Sequence, residues 1–302
     1  MAQDGPRLHA HWIAADGRAG HEGVADAIFP YWSFTKTAIA VAALKLVEAG
    51  ALALDAPLAG DRFSLRQVLA HTAGLPDYFT LPEYVQAVAR GDAAWPRDVL
   101  LERALAQGRL FAPGEGWAYS NVGYLLVRAQ IEAATGMSLG DALTELLFAP
   151  LGLGSITLAE TPAQFAPVHW TAAQRYDPGW VYHGCLTGTA ADAARLLHAL
   201  MGGAVLLPDT LAQMRAAHPL GGVIAGRPWV RCGYGLGLMA GTMANAGAAE
   251  GHSGGGPFSV NAVYHFPDLP VPVTVACFAQ GTDEGVTEYA AVEMAQGCQV
   301  DL

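Results

Sequence analysis

The 302-residue chain is 52% hydrophobic and only 14% charged, which excludes a disordered polymer and allows a sizeable core near the size at which one core divides into two. A formal net charge of -11 with no basic run to override it argues against nucleic acid or an anionic membrane as partner. No apolar run approaches the ~20 residues of a membrane span. The start, MAQDGPRLHAHW, has no basic patch ahead of an apolar stretch, so the sequence as it stands reads as cytoplasmic, or as periplasmic or secreted if a signal peptide has been removed.

In chain order, the first thirty residues read as short strands with a turn at Asp16-Gly17. A helix is expected from about Ser33 to Ala49. Its apolar positions (Phe34, Ile39, Val41, Leu44, Val47) spread around the helix, the pattern of a deeply buried one, and Gly50 stops it. The stretch from about Asp55 to Leu158 is mainly helical: Ser64 with Gln67 forms a capping box, Pro96 opens a helix that Gly108 closes, Asn121 starts one that runs to Gly136, and another covers Leu139 to Phe148. A further helix spans Ala190 to Met201. Tyr234–Met239, Phe258–Phe266 and Val271–Ala279 read as strands, and a helix from Glu284 to Gln296 closes the chain. The expected fold is α+β: an antiparallel sheet flanked by helices and built from both termini, with an inserted all-helical domain. Residues 1–55 and 170–302 would form the mixed domain and 56–169 the helical one, with the active-site cleft between them.

Two residue types narrow the search. Cys185, Cys232, Cys277 and Cys298 lack metal or redox spacing and read as four free, mostly buried thiols in a reducing compartment. Only Lys36 and Lys45 are lysines, against fourteen arginines, and lysine can lose its proton when desolvated whereas arginine cannot. Lys36 lies three residues after Ser33. If Ser33 opens the helix, the amine stands on the same face one turn on, and the helix N-terminus offers N–H groups to an oxyanion. The competing reading is a serine cap with a chance lysine.

Tyr119-Ser120-Asn121 follows the loop Phe111–Gly116 and precedes a helix. A phenol beside a lysine ammonium would have its pKa lowered and could shuttle a proton, and Asn121 could donate to a substrate carbonyl or simply cap the helix. Gly251-His252-Ser253-Gly254-Gly255 fits the Gly-x-Ser-x-Gly nucleophile elbow. That reading needs a helix directly afterwards, where Gly256 and Pro257 stand, and then an acid before a histidine. The only later histidine is His265, with no Asp or Glu between it and Ser253. The segment reads instead as an edge strand lining a cleft, its small residues admitting a substrate backbone. Gly235-Leu236-Gly237-Leu238 has no helix after it and reads as a Gly-rich strand rather than a dinucleotide loop. The pairs His9-x-His11 and His21-Glu22 each lack a third ligand at sensible spacing, so no metal and no cofactor is expected.

In order, Ser33-Phe34-Thr35-Lys36, Tyr119-Ser120-Asn121 and His252-Ser253-Gly254 resemble the three motifs of the serine β-lactamase and penicillin-binding protein superfamily, most closely its class C β-lactamase and esterase branch. Leu44–Asp55, His71–Tyr78, Pro113-Gly114 and Gly184–Asp192 agree, so the resemblance covers the chain from about Trp12 to its end. It implies Ser33 as nucleophile, Lys36 and Tyr119 as proton carriers, Asn121, His252, Ser253 and Gly254 at the substrate, and the N–H groups of Ser33 and Gly255 as the oxyanion hole. One departure matters: the third motif usually begins with lysine. His252, partly charged near neutral pH, would weaken any grip on an anionic carboxylate and looks like the esterase and peptidase-like members. The chain is also short for a class C enzyme, which implies that some cleft-lining loops are missing.

The expected function is therefore a serine hydrolase of a small-molecule ester or amide, acting through an acyl-enzyme, with esters preferred. The alternatives are a β-lactamase, a D-amino-acid peptidase or amidase, and, in another class, a non-catalytic penicillin-binding-like sensor.

Overall fold

Strand β11 (Val273–Gln280), with the sequence VTVACFAQ, shows how the two ends of the chain meet. Seven of its eight residues are buried, and they alternate between two cores. Ala276 and Phe278 join the larger core, while Val275 and Cys277 join a second one. A strand buried on both faces needs apolar residues at every position rather than every second one. On one edge β11 pairs antiparallel with β1 (Leu8–Ala14), in the register Leu8↔Ala279, and on the other with β10 (Ser259–Phe266). The computed structural model describes residues 8–58 and 62–299. The first seven residues, on which the leader reading rests in part, lie outside the described residues.

The sheet has eight strands in the order β2-β1-β11-β10-β9-β8-β7-β6, all pairs antiparallel. The remaining members are β2 (Ala19–Glu22), β6 (His218–Gly221), β7 (Trp229–Tyr234), β8 (Met239–Met243) and β9 (Gly247–Gly255). A smaller sheet joins β3 (Phe29–Pro30), β5 (Cys185–Gly188) and β4 (Thr157–Ala159). The helices are α1 (Thr35–Glu48), α2 (Leu65–Leu69), α3 (Pro82–Arg90), α4 (Arg97–Leu105), α5 (Asn121–Thr135), α6 (Leu139–Leu143), α7 (Pro162–Phe165), α8 (Ala190–Met201), α9 (Pro208–Arg215) and α10 (Glu284–Gly297). Helix α8 packs on β1, β10 and β11 and contributes to the larger core, whereas α10 packs on β10 and β11 and contributes to the second. The four cysteines are free and buried.

This is the mixed helix and antiparallel sheet architecture read from the sequence. The capping box at Ser64 and Gln67 is present, with both of its hydrogen bonds made. Helix α1 is buried at every position from Thr35 to Leu44, in keeping with its all-round apolar pattern. Three local readings are corrected. Residues 235–238 are a hairpin turn between β7 and β8 rather than a strand, with Tyr234↔Met239 as the closing pair. Gly237 takes φ +80° there, and a Cβ on it would stand 2.4 Å from that of Ala40; its carbonyl accepts a 2.8 Å hydrogen bond from Thr37 Oγ1, so the turn docks onto α1. The cap of α5 is Ser120, whose Oγ accepts from the Gly123 N–H at 3.1 Å, which releases the Asn121 side chain for other partners. Strand β9 lies inside the sheet rather than at its edge. However, β8 stops opposite Gly251, so from His252 onward β9 is paired only with β10.

The buried carboxylate of Glu288 fastens β9 and β10 to α10. It accepts two hydrogen bonds from Arg227, one from Trp229 Nε1 at 3.0 Å and one from Ser253 Oγ, with the Tyr264 hydroxyl, which bonds Ser253, 3.2 Å away. Removing one partner of a buried pair strands the other charge, whereas an exposed pair such as Arg90–Asp92 contributes little. Glu288→Ala should therefore lower the urea-unfolding free energy by about 3–5 kcal/mol, and Asp92→Ala should change it by less than about 1 kcal/mol. Equal small losses for the two variants would remove Glu288 from this role.

Candidate active site

Ser33 sits in a 3-10 turn, Trp32–Phe34, between β3 and α1. The residue before it, Trp32, holds φ +42°, a left-handed conformation that a bulky side chain adopts only when its surroundings impose it. Here they do: the indole Nε1 donates to Ser259 Oγ at 3.0 Å, and the ring packs against Tyr176 and Phe258. Gly254 completes the fit, because a Cβ on it would lie 2.8 Å from the Ser33 nitrogen and 2.9 Å from Trp32 Cβ. The Ser33 turn thus seats on the free edge of β9. Gly256 N–H bonds back to Ser259 across the β9–β10 turn. In an antiparallel ladder alternate residues point their N–H groups to opposite sides, so Gly255 N–H points away from β10, out of that free edge.

Lys36, in the first turn of α1, is fully buried. Its Nζ lies 3.3 Å from Ser33 Oγ and 3.1 Å from His183 Nε2, above the faces of Tyr119 and Tyr124. Burial pulls its pKa down to about 7, against the opposing fields of Asp77, Cys185 and Glu284. Tyr119 donates its hydroxyl to Ser33 Oγ at 2.9 Å. The expectation of an acidified phenol is overturned. Burial holds the Tyr119 pKa well above 10, outweighing the hydrogen bond to Ser33, because the neighbouring lysine is itself desolvated and only half charged near neutral pH. Tyr119 is a neutral hydrogen-bond donor to Ser33 here.

The remaining residues divide into two groups. Asn121 directs its amide nitrogen to Asp77, at 2.9 Å to Oδ2 and 3.2 Å to Oδ1. His252 is buried, with Nε2 2.9 Å from Tyr234 OH and Nδ1 against the Ser253 carbonyl. Burial, aided by the Lys36 field, lowers its pKa to about 3, so the partly charged histidine expected near neutral pH is corrected to a neutral one. Ser253 spends its hydroxyl on Glu288 and on Tyr264 at 2.7 Å, and it lies within a strand rather than on a strand-to-helix turn. Ser33, Lys36, Tyr119, Gly254 and Gly255 therefore converge on one point, while the Ser253 side chain turns into the protein.

Three residues at this centre carried no role in the sequence reading: Asp77, His183 and Glu284. Asp77 lay in the His71–Tyr78 segment and His183 immediately before Gly184, but nothing in their spacing separates them from loop residues. Cavities of about 520 and 690 Å³ flank Ser33 and share Phe79, Asn121, Gly255 and Glu284. The smaller is lined by Tyr119, Arg227 and His252, and the larger by Trp32, Tyr84, Val88, Tyr176, His183 and Phe258. Among the described residues, no group of three His, Cys, Asp or Glu side chains is placed to hold a metal ion.

A buried lysine is a stability cost. Its pKa is lower folded than unfolded, so between about 7 and 10.5 the unfolded chain binds more protons. The penalty is complete below pH 7 and fades as pH rises toward 10.5. Lys36→Met should raise the urea-unfolding free energy at pH 7 by on the order of 1–4 kcal/mol, with the gain shrinking by pH 10. A variant less stable than the parent at both pH values would contradict this.

The family described as Beta-lactamase matches residues 1–297. Esterase EstB of Burkholderia gladioli is 28% identical over an alignment of 327 residues that covers 90% of this chain and 82% of that protein. Penicillin-binding protein 4* of Bacillus subtilis (strain 168) is 33% identical over 139 residues, 42% of this chain and 30% of its own length. Among solved structures, the D-amino acid amidase from Ochrobactrum anthropi SV3 complexed with L-phenylalanine superposes with a TM-score of 0.81 at 19% identity, covering 98% of this chain and 95% of that one.

Proposed function

Because the chain belongs to the beta-lactamase family of serine hydrolases, we propose that it cleaves a neutral carboxylic ester through an acyl-enzyme on Ser33, with Lys36 as base and Tyr119 as proton donor. One observation carries the reading: a buried amine with a pKa of about 7 stands 3.3 Å from a hydroxyl that a neutral phenol already contacts at 2.9 Å. The Lys36 amine takes the Ser33 proton as Oγ bonds to the carbonyl carbon, and the carbonyl π pair moves to oxygen, between the Ser33 and Gly255 N–H groups. When that pair returns, the bond to the leaving oxygen breaks. The leaving oxygen takes the Tyr119 proton, which the Lys36 ammonium replaces. Water then repeats the sequence on the acyl group and releases a carboxylic acid.

The preference for a neutral substrate follows from the charges. His252 is neutral, Arg227 is held by Glu284 at 2.7 Å and by Glu288, and Asp77 adds a further carboxyl group. Among the described residues that line the smaller cavity no cation is left over to receive a carboxylate, and the larger one, although the exposed Arg175 stands on its lining, is walled mainly by aromatic and aliphatic side chains that suit an apolar acyl group. The esterase relative supports this choice. The amidase fold neighbour keeps an amide substrate as the second reading, since the same acyl chemistry differs only in its leaving group. Asn121 would reach the substrate carbonyl by sharing its amide hydrogens with Asp77.

A fluorophosphonate probe should add one mass to the protein and none to Ser33→Ala; label retained in that variant, or moved to Ser253, sinks the assignment. For an ester, log kcat/KM should rise with pH at a slope of one and level off near pH 7, because only the free amine of Lys36 accepts the Ser33 proton. Lys36→Arg should lose at least ~100-fold. A rate that instead falls above pH 7 would assign Lys36 a purely ammonium role.

The neutrality of His252 has its own test. The kcat/KM ratio of a carboxylate-bearing β-lactam to a neutral ester should stay flat from pH 5 to 8, roughly the range in which an unburied histidine titrates. A ratio that climbs as pH falls through that range would show that His252 takes up charge in the cleft.

A further inference from the structure

The proton positions at Ser33 can be assigned by following its partners. Ser33 Oγ receives the Tyr119 hydroxyl at 2.9 Å, and Lys36 Nζ lies 3.3 Å away, donating to Oγ as an ammonium and, as the free amine, able to receive the single Ser33 proton. The lysine lone pair then faces Ser33, and what the amine presents to its other partner is an N–H. That partner is His183 Nε2 at 3.1 Å. A ring nitrogen that accepts carries no proton, so the imidazole proton resides on Nδ1.

We propose that His183 is a positioning residue for Lys36: by accepting one N–H of the amine, its Nε2 turns the lysine lone pair onto the Ser33 hydroxyl. The inference rests on the hydrolase reading above, since it concerns the same nucleophile and base. Two features of the fold support it. Gly184 takes φ +119°, and a Cβ there would stand 2.9 Å from Leu158 Cδ1, so the sharp turn ahead of β5 that delivers His183 to α1 needs glycine. The second is the far side of the ring. His183 is buried, and its Nδ1 has no hydrogen-bond partner among the described residues. A proton handed to the ring would have no onward acceptor, so the imidazole orients the base and does not relay through it. An unpaired buried polar atom is a cost that packing alone does not explain. The charged and titratable groups whose fields reach the pair are Asp77, Cys185 and Glu284 at Lys36, and Arg128, His252 and His71 at His183.

The test compares His183→Leu and His183→Gln with the parent on a neutral ester from pH 5 to 9. Glutamine places an amide oxygen near the Nε2 position, so it can accept the same N–H, but it cannot carry a proton. Leucine should lower the plateau kcat by about 10–100-fold, the scale of a misoriented catalytic group, with KM within about threefold and the acid limb shifted to lower pH, because the ammonium loses an acceptor. Glutamine should recover most of the plateau and the original limb. A leucine variant with unchanged plateau and limb overturns the proposal, and so does a glutamine variant as impaired as leucine, which would mean that the ring moves a proton. Nitrogen NMR of the unsubstituted protein above pH 8 gives a measure free of any folding defect: the Nδ1–H tautomer at His183 is expected, and an Nε2–H tautomer overturns the assignment. Fluorophosphonate labelling of Ser33 separates the two levels. Labelled Ser33 with an indifferent His183 refutes this inference alone, and unlabelled Ser33 refutes the hydrolase reading.

Discussion

The desolvation of one amine governs the site. As the base of the proposed reaction, Lys36 depends on having its nitrogen shut away from water, among mostly apolar, aromatic or neutral hydrogen-bonding groups whose enclosure outweighs the opposing fields of Asp77, Cys185 and Glu284. The demand explains the all-round burial of α1, the aromatic faces of Tyr119 and Tyr124 over the amine, and the neutrality of both His252 and His183. It also explains why Tyr119 keeps its proton. Enclosure that lowers the lysine pKa raises that of the phenol, so one environment sets a proton acceptor and a proton-holding hydroxyl side by side around Ser33, as the proposed mechanism needs.

The proposed reaction also requires a fixed place for a developing oxyanion. Gly255 N–H is available because β8 ends early, and β9 does not sag into the gap because Ser253 is anchored behind it on Glu288. A serine that looks like a nucleophile in the sequence is thus part of the frame that aims the neighbouring glycine. Trp32 makes the opposite side rigid, its unfavourable backbone angle held by the Ser259 hydrogen bond and the surrounding rings.

What the sequence revealed follows from which signals are local. Ser33 and Lys36 are one helical turn apart, Ser64 and Gln67 form their box within four residues, and the buried pattern of β11 is continuous, so each could be read without a partner. Asp77, His183 and Glu288 act across 44, 147 and 35 residues of chain, onto Asn121, Lys36 and Ser253, and no local pattern distinguishes them. The direction of the Tyr119 and His252 shifts was equally out of reach, because each is a balance between charge and burial, and burial is a property of the closed fold. Residues 235–238 deceived for a related reason: alternating Gly and Leu imitate a strand, while the contact with Ala40 that makes Gly237 a turn residue comes from nearly two hundred positions earlier.

The pairing of β1 with β11 also sets when the chain can become reactive. Leu8 meets Ala279, so the large sheet cannot close until almost the whole polypeptide is available, and contacts of such long sequence separation form late in folding. Ser33 and Lys36 are made early but wait for β9 and the turn at Gly237 to arrive from the far end. Until then the amine is hydrated and holds its proton like any surface lysine. On the proposed mechanism, nucleophilic reactivity would therefore be acquired only when β9 and the Gly237 turn close on α1, and a nascent or partly unfolded molecule would carry an inert serine.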